Sequence, residues 1–505
     1  MRFSRVPTSI KTVLPVLLLI LLNFIFQIPL SQTQVSGDVV ISCWMAESIL
    51  DDGSAQWLLH PASLFGLASF SYPSFVAFLL ATVSSITGLT RLELVQSISY
   101  IYGILVILAG YLVGYEFSRN RVFAVFTAFA LSMNPLIVSY YHCGAFARIQ
   151  FLLSFLFLIY AILKYTSSHD LRYLVLLPVV AIAGLSAHRM TLILLLILCG
   201  SLLLIIGYTK LLSRLPETKA HFLSKYVGFV VIGLFLVGFL FMFTPLFPFK
   251  GKLLLLQQGM FISGSSPISM VINLLVDYAT YLNPIVLLCG VISLVAIALN
   301  RNRSISELFL LFFILVCAPL LVDSYYMPHV LMPVIAILFA TFMTSLLFKD
   351  SHKIFYAFGM VLLVLLITVF VLFYSTPIKS IVLHQEQDVL HVPETSQYIS
   401  KLDGDIATDS RFISRRLMLY SERPVLPFMA PEYPVYYSQN FNDAQFSLSI
   451  STYINSDLYY LWKITEWQPV VPDIKYQYQC SPMKDLDITS FARVFDNSVE
   501  RIYRV

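Results

Sequence analysis

Eleven apolar runs, each near the length that carries a helix across about 30 Å of hydrocarbon, dictate most of what this chain can fold into. They fall at residues 12–30, 98–117, 122–140, 149–164, 172–187, 190–208, 227–244, 283–299, 307–322, 330–347 and 354–374. Inside a bilayer every backbone polar group must find a partner within the protein, so runs of this length have to be helical. Hydrophobic residues make up 58% of the chain and charged ones 12%, the balance of a polytopic α-helical membrane protein of about 11 spans. The runs at 149–164, 172–187, 283–299 and 307–322 are short for a full crossing, which leaves tilted, re-entrant or misjoined helices open there. Residues 72–87 are also apolar, but Pro73 opens them and they lie inside a loop. They read as a helix lying in the interface.

Lysine and arginine set the orientation. With a cytoplasmic N-terminus, fifteen of them fall in inner loops, while Arg91, Arg148, Arg189, Lys250 and Lys252 fall in outer ones. The loop 37–89 and the chain beyond 375 are therefore expected on the extracytoplasmic side of the cell membrane. The first run exceeds the roughly 7–15 apolar residues of a signal-peptide core, and removing it would invert every later loop, so it reads as an anchor. Cys199, Cys289 and Cys317 fall in the apolar runs, and Cys43, Cys143 and Cys480 are scattered outside them, with neither disulfide-framework nor zinc-site spacing. A net charge of +4 makes no electrostatic case for nucleic acid as a partner.

Two domains are expected, a membrane domain over 1–374 and a small soluble α/β domain over 385–505. In the second, Pro393-Glu394-Thr395 opens a helix to about Leu402, residues 405–408 and 424–428 read as strands, and 410–419 as a helix. Phe491–Phe495 and Val499–Val505 flank Asp496-Asn497-Ser498, the pattern of a β-hairpin.

Polar residues that can do chemistry gather on the outer side. Asp38 follows the first run closely enough to sit at the membrane surface, where a partly buried carboxylate can take a proton from a hydroxyl. Gly-Asp before an apolar stretch is equally a helix cap, and the two roles are compatible. Asp51 and Asp52 precede Gly53; they read as an exposed turn, with a divalent cation or a sugar hydroxyl as the functional alternative. His60 and Tyr72 each precede a proline and suit the interface, where either can also bond a phosphate or hydroxyl. Arg148 and Arg189 stand at helix starts on the outer side, against both the charge bias and the helix dipole. A bound anion removes both objections, and His142 and His188 are their neighbours; the alternative is snorkelling to lipid headgroups. Asp323, Tyr325, Tyr326 and His329 form a further outer polar set. Lys250 and Lys252 lie in a long outer segment, 245–282, readable as a lid or as a plain interfacial connection.

The first run, the aspartate beyond it, the stretch from Ala46 to Gly53 (AESILDDG) and the stretch from Ser71 to Leu89 (SYPSFVAFLLATVSSITGL) resemble the first outer loop of GT-C glycosyltransferases. That superfamily includes protein O-mannosyltransferases, aminoarabinose transferases and oligosaccharyltransferases, and the resemblance runs nearest to archaeal members. It implies a catalytic aspartate at Asp38 and a polyprenyl- or dolichyl-phosphate-linked sugar as donor. Two departures matter. Tyr459-Tyr460-Leu461-Trp462 does not reproduce the WWD-type motif of oligosaccharyltransferases, and Tyr140 to Ala147 holds no carboxylate where a metal-dependent member places one. A metal-independent monosaccharide transferase fits better, with a divalent metal possible but not favoured.

The expectation is inverting transfer to a protein, lipid or glycan hydroxyl, with Asp38 as base and Arg148, or Arg189 with His188, receiving the phosphate. A transporter and an inactive scaffold or sensor of the same architecture are the rivals.

Overall fold

The computed structural model describes residues 8–27, 42, 43, 45, 46, 49, 50, 75–89, 91–188, 190–241, 267–300, 303–321, 326–348, 361, 365, 368, 392–401, 405–408, 425–427, 458–463, 492–496 and 500–504. It divides into two compact units, one comprising Met1–Ile28, Tyr100–Tyr141 and Arg148–Thr376, the other Pro29–Ser99, His142–Ala147 and Pro377–Val505.

The described helices are α1 (Thr8–Gln27), α2 (Phe75–Thr87), α3 (Arg91–Ser118), α4 (Arg121–Ser132), α5 (Pro135–Cys143), α6 (Phe146–Ser168) and α7 (Leu171–Ala187). They continue with α8 (Met190–Arg214), α9 (Glu217–Phe241), α10 (Pro267–Leu282), α11 (Pro284–Leu299), α12 (Ile305–Cys317), α13 (Met327–Phe348) and α14 (Val392–Ile399). Five are long and apolar enough to cross a membrane, or seven spans if each of two bent pairs counts as one. Large apolar side chains such as Val175, Leu196, Leu203, Ile206 and Val237 are exposed. On a soluble protein such a surface would aggregate; against acyl chains it is what a span requires. The chain is a multi-pass membrane protein.

The structure revises several boundaries. The run expected at 149–164 is a full-length helix of 23 residues, and 171–187 is a helix of 17 residues. The span expected over 122–140 breaks at Met133–Asn134 and turns by 59°. Pro135 follows the break, and Asn134 Oδ1 accepts from the N–H groups of Leu136 at 2.9 Å and Ile137 at 3.3 Å, so a capped new helix starts where the old one ends. The run 283–299 likewise begins at a 105° bend, where Asn283, at φ 68°, caps α11 through Ile285 N–H at 3.0 Å. Much of the outer segment read as 245–282 is the helix α10.

Within the first unit, α13 packs against both α4 and α11, and α8 packs against α12. Phe155 of α6 stacks on Phe313 of α12 at 5.8 Å. Small residues permit close approach: a Cβ on Gly114 of α3 would stand 2.8 Å from the Ala124 backbone of α4, and Gly110 lies one turn earlier on the same face. At the end of α3 the buried Glu116 pairs with Arg119 at 2.6 Å and with Lys164 of α6 at 2.7 Å. Arg303 donates from Nε to Ile297 O at 2.8 Å, from Nη1 to Ser224 O at 2.7 Å, and from Nη2 to Ala298 O, tying α9 to the last turn of α11.

The second unit holds a five-stranded sheet of β1 (Asp405–Thr408), β2 (Val425–Pro427), β3 (Leu458–Lys463), β4 (Ala492–Asp496) and β5 (Glu500–Arg504), in the order β2-β1-β3-β5-β4. The strands read at 405–408 and 424–428 and the terminal hairpin are present; the helix read at 410–419 lies outside the described residues. β3 pairs parallel with β1 and antiparallel with β5, and it occupies the Tyr459–Trp462 stretch that carries no strand expectation in the sequence reading.

Candidate functional site

Three helices of the first unit begin close together. After the bend at Asn134, α5 carries Tyr140, and Gly144 at φ 63° turns the chain into α6. A side chain at that φ would be strained, so glycine lets the two helices follow with almost no loop. Arg148 falls in the first turn of α6, as expected from sequence. Its guanidinium lies 5.4 Å from the Tyr140 ring centroid, a cation–π contact inside the protein.

His188 ends α7 and caps the next helix. Its N–H donates to Gly184 O at 2.8 Å, its carbonyl accepts from Thr191 N–H at 3.0 Å, and Nδ1 accepts from Met190 N–H at 3.2 Å. An accepting Nδ1 leaves Nε2 as the protonated nitrogen of the neutral ring. Gly184 sets this corner: a Cβ there would meet Thr191 Cγ2 at 2.8 Å and Ser154 Cβ at 3.1 Å, drawing α6, α7 and α8 together.

His329 lies in the first turn of α13, buried at 6% exposure. Its ring stacks on Tyr140 at 5.2 Å and 22°, and Tyr326 links the two histidines, 6.4 Å from His329 and 5.9 Å from His188. Phe151 of α6 closes the set, 5.8 Å from His188. Arg148, Tyr140, His329, Tyr326 and His188 thus form one contiguous chain of ring and cation contacts at the N-termini of α6, α8 and α13.

Helix N-termini present backbone N–H groups without intrahelical partners and the positive end of the dipole. At the start of α8 the Met190 and Thr191 N–H groups are already taken by His188, so the case for an anion rests on the Arg148 guanidinium with the imidazoles, aided by the dipoles. The half-buried Arg148 rests on the Tyr140 face. Among the expected residues the structure joins Arg148, His188 and His329. Asp38, Asp51, Asp52, His60, Tyr72, Arg189 and Asp323 lie outside the described residues, as does the His142 side chain. Tyr140 and Tyr326 complete the cluster. Tyr140 is not among the residues singled out from sequence, and a tyrosine shortly ahead of a His-Cys-Gly turn and an arginine is its one linear signal.

No group of three His, Cys, Asp or Glu side chains gathers as a metal site would among the described residues. Among the described residues the cluster brings one guanidinium, imidazoles and phenols together, with no carboxylate.

Neither a family sequence profile nor a curated protein sequence matches the chain. Solved structures do. An oligosaccharyltransferase from Archaeoglobus fulgidus, in complex with zinc and sulfate, aligns over 89% of this chain and 68% of its own at TM-score 0.57 and 12% identity. The oligosaccharyltransferase AglB of the same organism, with an inhibitory peptide and a dolichol-phosphate, aligns over 90% and 70% at TM-score 0.53 and 12% identity. ArnT from Cupriavidus metallidurans, bound to undecaprenyl phosphate, aligns over 98% of both chains at TM-score 0.54 and 12% identity. All are members of the GT-C superfamily, and at this identity what is shared is the fold.

Proposed function

We propose that this chain, whose fold is that of GT-C membrane glycosyltransferases, moves a sugar from a polyprenyl- or dolichyl-phosphate donor to an acceptor hydroxyl at the extracytoplasmic face. The reaction is inverting. Asp38 takes the proton of the acceptor hydroxyl, whose oxygen bonds the anomeric carbon from the side opposite the phosphate. The bond from that carbon to the phosphate oxygen breaks, and the phosphate departs with the electron pair. It is a weak base and needs positive charge more than a proton. Arg148, or Arg189 with His188, supplies that charge. In this reading the loop 37–89 and the sheet-bearing domain of 385–505 lie outside the membrane, and Asp51, Asp52, His60, Tyr72 and Asp323 contribute to the donor or acceptor pocket. Acceptors are protein, lipid or glycan hydroxyls. No step is routed through a metal.

The observation that carries this reading is the meeting of Arg148, His188 and His329 at three helix starts, in a fold shared with proteins determined with dolichol-phosphate and undecaprenyl phosphate. Purified protein given labelled polyprenyl-phosphate sugars tests it. Asp38→Asn should lower turnover by about 100-fold or more, the usual contribution of a general base, with the melting temperature kept. Retention of most turnover by Asp38→Asn sinks the assignment of the base.

A second reading, an anion transporter, draws on the two sharply bent helix pairs, since broken helices line transporter sites. It predicts phosphate or sugar-phosphate flux in proteoliposomes without any glycosyl transfer.

A further inference from the structure

Tyr140 stands between two groups that the reading above gives to anion binding, and its hydroxyl takes no part in holding them. The residue is 5% exposed. Its ring meets the Arg148 guanidinium at 5.4 Å and the His329 imidazole at 5.2 Å. Both contacts use the π face alone, and phenylalanine would make them equally well. Oη is buried, and among the described residues it has no hydrogen-bond partner. A buried phenol ordinarily has one, because an unmade hydrogen bond away from water is costly.

We propose that Tyr140 is a ligand-binding residue of this site, its hydroxyl donating to the phosphate oxygen that Arg148 neutralises while its ring holds the guanidinium in place. The proposal rests on the phosphate-binding reading of the cluster. The geometry suits it: Tyr140 and Arg148 lie on consecutive helices, α5 and α6, and His329 of α13 stacks on the same ring. An O–H donated to an anionic oxygen is stronger than one donated to a neutral acceptor. It also adds direction, which a cation over a ring does not supply.

The test compares wild type with Tyr140→Phe, Tyr140→Leu, Arg148→Gln and the Tyr140→Phe/Arg148→Gln double variant. Each full-length protein is titrated with undecaprenyl phosphate in detergent micelles and melted without ligand, and inorganic phosphate is the competitor that reports a headgroup contact. Tyr140→Phe should melt with wild type yet bind undecaprenyl phosphate about tenfold more weakly, the size of a hydrogen bond to a charged group. The double variant should lose less than the product of the two single losses, since the groups share one ligand. Inorganic phosphate should displace the lipid from wild type. Equal binding by Tyr140→Phe and wild type overturns the proposal, as does a melting loss in Tyr140→Phe matching that of Tyr140→Leu, which makes the hydroxyl structural. Failure of inorganic phosphate to compete overturns it too. If Arg148→Gln loses binding while Tyr140→Phe does not, the hydroxyl assignment falls alone. If wild type binds no undecaprenyl phosphate, the phosphate reading falls and takes this one with it.

Discussion

Replacing Gly114 by alanine adds one carbon at the tightest point of the α3–α4 contact. The new Cβ would lie 2.6 Å from Thr127 Oγ1, 2.8 Å from Ala124 Cα and 2.9 Å from Thr127 Cβ. None of these three atoms can readily swing away: Ala124 Cα is backbone, and the Thr127 side chain is fixed by its hydroxyl, which donates to Phe123 O at 3.0 Å. Ordinary contact begins near 3.4 Å, so the helices must part by about 0.6 Å, and overpacking of this kind costs about 1–3 kcal/mol. Against that, alanine is favoured over glycine in a helix by about 1 kcal/mol. The matched control is Gly207→Ala on α8, where nothing lies within 4 Å of the added carbon and the helical preference acts alone. Thermal unfolding in detergent should place Gly114→Ala below wild type and Gly207→Ala at or above it. The shift should also reach the site, because α4 leads through the Asn134 bend to Tyr140. A Gly114→Ala protein that melts with Gly207→Ala, above wild type, would refute the close-approach argument.

Three further outcomes follow from local geometry. Asn134→Ala removes the acceptor for two N–H groups at the start of α5 and should cost about 1 kcal/mol, with weaker undecaprenyl phosphate binding as Tyr140 loses its anchor; binding isotherms and melts check both. Glu116→Gln leaves Lys164 and Arg119 without their shared carboxylate, but both cations reach solvent, so it should lower stability by only about 1 kcal/mol, read by denaturation in detergent; no change would mean the pair is ornamental. The Arg172 side chain, bonded to Asp170 Oδ1 and Oδ2 at 3.1 and 2.9 Å, holds that carboxyl below the ordinary carboxylate range, helped by Arg172 N–H. The cap on α7 is therefore fully present above about pH 4, the unperturbed value, and is lost as pH falls through the depressed one. Asp170→Asn should flatten that part of the stability–pH curve.

Membrane character, most helix centres and the terminal hairpin were legible because they rest on composition and periodicity, which are local. The strands at 405–408 and near 425–427 could be read for the same reason. The interruption at Asn134 could not, although Asn-Pro there is a capping signal, because an unbroken apolar run masks a change of direction. Ser304-Ile-Ser-Glu307 is similarly a full capping box in the structure and sits inside an ordinary-looking loop. In the cluster, Arg148 stood out by opposing the charge bias, and His188 as the neighbour of Arg189, which does the same. Tyr140 did not, since a tyrosine near an interface is unexceptional until His329, far along the chain, is seen stacked on it. β3 was missed although Asn455-Ser456-Asp457 marks a turn just ahead of it, because Leu458–Lys463 has no clean apolar–polar alternation and its pairing is entirely non-local.

The strand order has a kinetic consequence. β1 has its neighbours on either side supplied by later segments, and β5, at 500–504, is the bridge between β3 and β4. β2, β1 and β3 can pair once β3 has been made, but the far edge of β3 stays unpaired and β4 stays outside the sheet until β5 follows. Throughout that interval the edge of β3 is open to wrong partners, and slowing synthesis just upstream of β5 should lengthen its exposure.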